Sequence, residues 1–110
     1  MDKKISTSDI RANVKQKRVR EIRFLTENTF VLRFDRDNLQ FYAEQHLVIG
    51  TIGSLKHREY SIYSSEKQDY LEILVREVPG GNVSAQLSRV QPGDLIEVDG
   101  PFGSFIMEPA

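Results

Sequence analysis

Two short segments hold residue types that could act together on one ligand. The first is Arg58-Glu59-Tyr60-Ser61. A guanidinium fork binds phosphate bidentately, an aromatic ring stacks on a flat ring, and a hydroxyl can bond a ring heteroatom. Those properties suit a ligand with phosphate at one end and a planar ring at the other. On a strand, Arg58 and Tyr60 share one face and Ser61 takes the other unless the strand twists or ends there. The second segment is Gly80-Gly81-Asn82-Val83-Ser84. Glycines leading into a helix let backbone amides approach a phosphate, and the helix start supplies free N–H groups and the positive end of the dipole. Ser84 can add a hydroxyl donor. Taken singly, each segment has a plainer reading: a surface Arg beside a Tyr filling the pleat, and an ordinary turn with an N-cap. The glycine spacing is also not a dinucleotide fingerprint, because no parallel strand unit precedes it.

The elements that must position these segments read as strands. From Lys15, apolar and charged residues interleave through Val19, Ile22 and Phe24, and a turn falls at Glu27-Asn28. Thr29 to Phe34 is β-branched and aromatic, with Phe30, Leu32 and Phe34 on one face. His46–Ile52 and Arg58–Tyr63 follow, then Tyr70–Arg76 with Leu71, Ile73 and Val75 alternating, and finally Leu95–Val98. Pro79-Gly80-Gly81 breaks the alternation. Beyond it Val83, Leu87 and Val90 fall at i, i+4 and i+7, which predicts one short helix with Asn82 or Ser84 at its start and Pro92-Gly93 after its end. Short strands at close spacing with a single α-helix indicate an all-β domain, a small antiparallel barrel. Residues 1–14 read as a polar N-terminal arm and 15–110 as the barrel domain.

Composition narrows the function classes. The 110 residues are 39% hydrophobic and 28% charged with a net charge of −1, which suits one globular domain with a real core. With 0 Cys, disulfides, thiolate metal sites and cysteine nucleophiles are excluded, and with 2 His no metal site is expected. His46, His57, Asp94, Asp99, Tyr63 and Tyr70 read as structural, turn or packing residues. Bases concentrate in residues 1–23 (Lys3, Lys4, Arg11, Lys15, Lys17, Arg18, Arg20, Arg23), opposed by Asp2, Asp9 and Glu21. Such an end can meet nucleic acid or an acidic protein, but it reads better as a solvated edge strand guarded by Lys and Arg. No apolar run reaches membrane-spanning length and no secretory leader pattern opens the chain, so a cytoplasmic protein with no membrane contact is expected.

Four motifs fall in one order: Arg58-Glu59-Tyr60-Ser61, Gly81-Asn82-Val83-Ser84, Pro92-Gly93-Asp94 and Gly100-Pro101-Phe102-Gly103. Together they resemble the flavin-binding domain of the ferredoxin–NADP reductase family, over about residues 17–107. The resemblance implies a six-stranded antiparallel Greek-key barrel holding FAD, in preference to FMN. It implies that Arg58 binds the pyrophosphate, Tyr60 packs against the ribityl and isoalloxazine face, and Ser61 bonds near the reactive flavin nitrogen as the catalytic residue. Gly81, Asn82, Val83 and Ser84 would complete the pyrophosphate cradle, while Ile62 and the run Leu74-Val75-Arg76 would line the cofactor with backbone groups. The chain departs from the family in carrying Ala43-Glu44-Gln45 where Pro-Gly-Gln is usual.

The family also carries a second, NAD(P)-binding domain, for which this sequence shows no pattern. The chain is therefore expected to be the flavin half of a longer NAD(P)H-dependent oxidoreductase, incomplete alone and using NAD(P)H only with that second domain. Its partners would be that domain and a redox protein acceptor: a ferredoxin, flavodoxin, iron–sulfur protein or oxygenase. The rival reading is a non-catalytic oligonucleotide-binding barrel. Against it, no aromatics interleave with the basic run at residues 11–23 and the net charge is slightly negative, so no nucleic acid partner is expected. A regulatory barrel that has lost flavin is a third reading, disfavoured by the presence of both phosphate motifs.

Overall fold

The computed structural model describes residues 14–103. Six strands and one helix follow in order: β1 Lys15–Phe24, β2 Thr29–Asp35, β3 His46–Thr51, β4 Arg58–Ser61, β5 Tyr70–Arg76, helix α1 Asn82–Leu87 and β6 Leu95–Phe102. They form a six-stranded antiparallel sheet in the order β4-β3-β6-β1-β2-β5. The sheet is bent by β1. Its first half, Lys15–Arg18, pairs with β6, and its second half, from Val19, pairs with β2 across a register shift between Val19 and Glu21. A bulge of this kind sharpens local twist, and here it lets one strand serve both halves of the barrel. The two end strands, β4 and β5, then approach each other, and a single antiparallel bridge joins Ile62 to Ile73.

Alternating apolar side chains fill the interior. Phe30, Leu32 and Phe34 of β2 meet Leu71, Ile73 and Val75 of β5, Leu47 and Ile49 of β3, and Ile96 and Val98 of β6, all at most 1% exposed. Helix α1 closes the core by burying Val83 and Leu87.

Three sequence expectations change. The basic strand is not an edge; β1 lies between β6 and β2. Three of its cations meet acids, while Arg18 donates to Gly93 O at 3.0 Å. Lys17, 6% exposed, sits 2.9 Å from Asp37, Arg20 lies 2.7 Å from Asp35, and Arg23 lies 3.9 Å from both Glu21 and Glu72. Strand β4 stops at Ser61 rather than Tyr63, because Ile62 leaves the β3 ladder to donate its N–H to Gln45 O and bridge to Ile73. The helix ends at Leu87, and Val90 packs on the core from the turn beyond it. The polar arm falls, apart from Val14, outside the described residues.

Candidate functional site

Among the named strands β4 pairs only with β3 and β5 only with β2. Between them lie the Ile62–Ile73 bridge and two bonds at Glu72, whose C=O accepts the Tyr63 N–H at 2.7 Å and whose N–H donates to Ser64 Oγ at 2.9 Å. The facing edges of β4 and β5 therefore offer backbone N–H and C=O groups that the sheet does not consume. Beside this seam lies a cavity of about 110 Å³, lined by Arg58, Glu59 and Tyr60 of β4, Arg76 of β5, Val78, and Gly81, Val83 and Ser84 at the helix start. The two segments that the sequence singles out thus meet in one place, although 19 or more positions separate them.

Pairing explains why these side chains converge. Arg58 pairs with Ile49 and Tyr60 with Leu47, whose side chains are buried, so Tyr60 packs its ring against the core from the seam side. Burial pushes the Tyr60 phenol above the ordinary tyrosine pKa, while the Arg58 charge opposes that rise. Arg58 and Arg76 are exposed, and among the described residues neither has a carboxylate partner. Two guanidinium groups on one small cavity, with the neighbouring Glu59 carboxylate turned to His46 Nε2 at 3.5 Å, favour an anion.

The loop into the helix is held by its own hydrogen bonds. Gly81 N–H donates to Val78 O at 2.7 Å, and Val78 N–H donates to Ser84 Oγ at 3.1 Å. Ser84 is 7% exposed. Since its oxygen accepts from Val78, its own proton remains available to donate. The helix cap is Gly81, without a side-chain cap bond, rather than Asn82 or Ser84; those two are the first and third residues of the helix. No side chain therefore competes with a ligand for the first-turn amides. A Cβ on Gly81 would lie 3.0 Å from both Ser84 Oγ and Val78 O, so a side chain there would push these groups apart by a few tenths of an ångström.

Of the residues expected at the site, the structure brings Arg58, Tyr60, Arg76, Gly81, Val83 and Ser84 onto the cavity. Ser61 is exposed, pairs with His46 and lies on the face opposite Arg58 and Tyr60. Ile62 and Leu74 flank the seam, Leu74 being 41% exposed. Val75 is buried, so only its backbone can reach a ligand, and Asn82 is exposed at the helix start. Val78 was not visible as a site residue, because its contribution is a backbone bond to Ser84. A larger depression of about 600 Å³, lined by residues 15–17, 37–40, Gly100 and Pro101, has no aromatic wall, and its Lys17 is already paired with Asp37. It lacks the chemistry of the smaller site.

The barrel and the chemistry lining its cavity suit a nucleotide cofactor, and comparison with known proteins narrows the class. The oxidoreductase FAD-binding domain family matches residues 16–107. The chain belongs to that family: it is an oxidoreductase FAD-binding domain. It is 32% identical over 92 residues to NADH-cytochrome b5 reductase 1 of Lodderomyces elongisporus, covering 77% of this chain and 31% of that protein. It is 31% identical over 96 residues to the toluate 1,2-dioxygenase electron transfer component of Pseudomonas putida, covering 84% of this chain and 29% of the relative. A ferredoxin NADP+ reductase from Neisseria gonorrhoeae, solved with bound FAD and NADP, superposes with a TM-score of 0.79 at 23% identity, over 86% of this chain and 40% of that one. The chain thus spans less than a third of the length of these two curated relatives.

The residues present fit FAD. Two guanidinium groups without a carboxylate partner among the described residues and a glycine-opened helix start match a pyrophosphate, the half-buried Tyr60 offers a ring to pack against, and the seam offers backbone polar groups.

Proposed function

We propose that the domain holds FAD along the β4–β5 seam as the flavin half of an NAD(P)H-dependent reductase that delivers electrons to a redox protein. The observation that supports this reading is the convergence of Arg58, Tyr60, Arg76, Gly81, Val83 and Ser84 on one cavity beside partly unpaired strand edges. Bound FAD would supply hydride acceptance from a nicotinamide and electron delivery onward. The chain's own task is to hold and tune it. Arg58 and Arg76 neutralise the pyrophosphate, and Gly81 admits it to the amides of Asn82 and Val83. Ser84 donates its hydroxyl proton there while fixing Val78. Tyr60 packs on the ribityl and ring portion. The backbone of Ile62, Leu74 and Val75 meets polar ring atoms, and Ser61, which lies off the cavity, reaches the reactive flavin nitrogen from the end of β4, where the strand stops.

An NAD(P)-binding domain in a longer chain would supply the nicotinamide, and a ferredoxin, flavodoxin, iron–sulfur protein or oxygenase would accept the electrons. A cytoplasmic setting suits that role, and no helix among the described residues is long and apolar enough to cross a membrane. The oligonucleotide-binding reading loses its main support, since Lys17, Arg20 and Arg23 are engaged by acids. The test is reconstitution with FAD followed by absorbance. A bound flavin spectrum that bleaches with NADH or NADPH once the NAD(P)-binding domain is present is expected. A colourless chain after incubation with excess FAD contradicts the reading.

A further inference from the structure

Strand β4 is short and one-sided. It spans four residues, Arg58–Ser61, and pairs with β3 alone. Glu59 borders the cavity, but its carboxylate is turned away to His46 Nε2, 3.5 Å off. A short strand is prone to slip, and a slip of one residue would turn the side chains of Glu59 and Ser61 toward the cavity in place of those of Arg58 and Tyr60. A carboxylate would then face the anion site. Something must fix the register, and the residue directly before Arg58 is placed to do so.

His57 Nε2 lies 2.9 Å from Glu97 Oε1 on β6, with His57 18% and Glu97 4% exposed. The other carboxylate oxygen, Oε2, accepts the N–H of Gly53 at 3.1 Å. One buried carboxylate therefore holds both ends of the β3–β4 connection to β6, two strands away from β4 in the sheet. The ring is seated over Gly50: a Cβ there would lie 2.6 Å from His57 Cδ2 and 2.8 Å from Lys56 O. Only glycine at position 50 leaves room for the imidazole. The far end of β4 is tied separately, by Ile62 N–H to Gln45 O at 3.2 Å.

We propose that His57 is a positioning residue for the flavin site: its contact with Glu97, over Gly50, locks the register of β4 so that Arg58 and Tyr60 face the cavity. The inference rests on the reading that these two residues hold the cofactor. His57 itself touches no ligand. It raises apparent affinity by keeping the competent register populated, since affinity falls in proportion to the competent fraction.

The test is FAD titration, followed by flavin fluorescence, of the parent chain and the His57→Ala, His57→Gln, Glu97→Gln and Arg58→Ala variants, with amide exchange measured across β4. His57→Ala is expected to weaken FAD binding about tenfold, or ~1.4 kcal/mol, and to speed exchange at residues 58–61 more than in β2 or β6. His57→Gln keeps an N–H donor and should recover most of the affinity. If His57→Ala does not fold, Glu97→Gln is read instead. A glutamine there can accept from only one of its two donors, so weaker binding is again expected. Parental affinity in His57→Ala, or in Glu97→Gln where that is the variant read, overturns the latch, provided Arg58→Ala is weakened. A uniform rise in exchange with no recovery in His57→Gln also overturns it, reducing the pair to general stability. Parental affinity in Arg58→Ala overturns the underlying assignment of the site instead.

Discussion

Removing the Ser84 hydroxyl separates a ligand contact from a structural bond, because the two have different signatures. Ser84→Ala deprives the Val78 N–H of its acceptor at 3.1 Å, in a part-buried position. Loss of one neutral hydrogen bond costs about 1 kcal/mol, which for a domain of this size lowers Tm by roughly 4–8 °C. The hydroxyl proton that the oxygen leaves free is the one assigned to the pyrophosphate. Hydrogen bonds to charged groups contribute about 1.5–3 kcal/mol, so FAD affinity should also fall by roughly tenfold to a hundredfold. The flavin reduction potential should stay near the parental value, since the change lies at the phosphate end. Ser88→Ala is the control: its hydroxyl donates to Ala85 O at 2.7 Å just past the same helix, and Ser88 does not line the cavity. It should change stability slightly and FAD affinity not at all. Melting curves, fluorescence titration and spectroelectrochemistry on both variants complete the comparison. A Ser84→Ala domain that melts earlier yet binds FAD with parental affinity would refute the phosphate role and leave Ser84 as a brace for Val78.

Arg58→Ala should weaken FAD binding by about tenfold, at the lower end of the range for charged hydrogen bonds because Arg76 still faces the cavity. Its Tm without flavin should change little, since among the described residues Arg58 has no carboxylate partner, and Arg58→Lys should restore only part of the affinity. Ser61→Ala should leave FAD affinity within about threefold, a change under ~0.7 kcal/mol, while shifting the flavin potential or slowing hydride transfer in the full-length reductase; unchanged potential and rate would remove Ser61 from the chemistry. Glu44 adopts φ +77°, a left-handed conformation unfavourable for a residue with a Cβ, at the position where the family usually has glycine. Glu44→Gly should therefore raise stability by up to about 1 kcal/mol after the entropic cost of glycine, as read by urea unfolding; a lower midpoint would show that the turn is not strained.

Much of this was legible in the sequence, for reasons specific to particular residues. Period-2 runs such as Leu71, Ile73 and Val75 mark strands because alternate side chains must share one face. The phosphate segments were legible because their chemistry is local: Gly81 and Ser84 are three residues apart and meet without help from the fold. What depended on long-range pairing was hidden. The basic residues of β1 resembled a guarded edge, yet their partners Asp35, Asp37 and Glu72 arrive from other parts of the chain and make β1 an interior strand. Nothing local links His57 to Glu97, forty positions away. Val78 could not be read either, because its part is played by a backbone N–H that any residue but proline possesses.

The central claim is that this domain grips its cofactor by the phosphates at the helix start and the two arginines. Titrating one protein preparation with riboflavin, FMN and FAD tests it most directly, because the three ligands share the ring and differ in phosphate. The account predicts affinity rising from riboflavin to FMN to FAD, with FAD at least tenfold tighter than riboflavin, or ~1.4 kcal/mol, and that advantage shrinking in Arg58→Ala and Ser84→Ala. Equal affinity for riboflavin and FAD, unaltered in both variants, would contradict it.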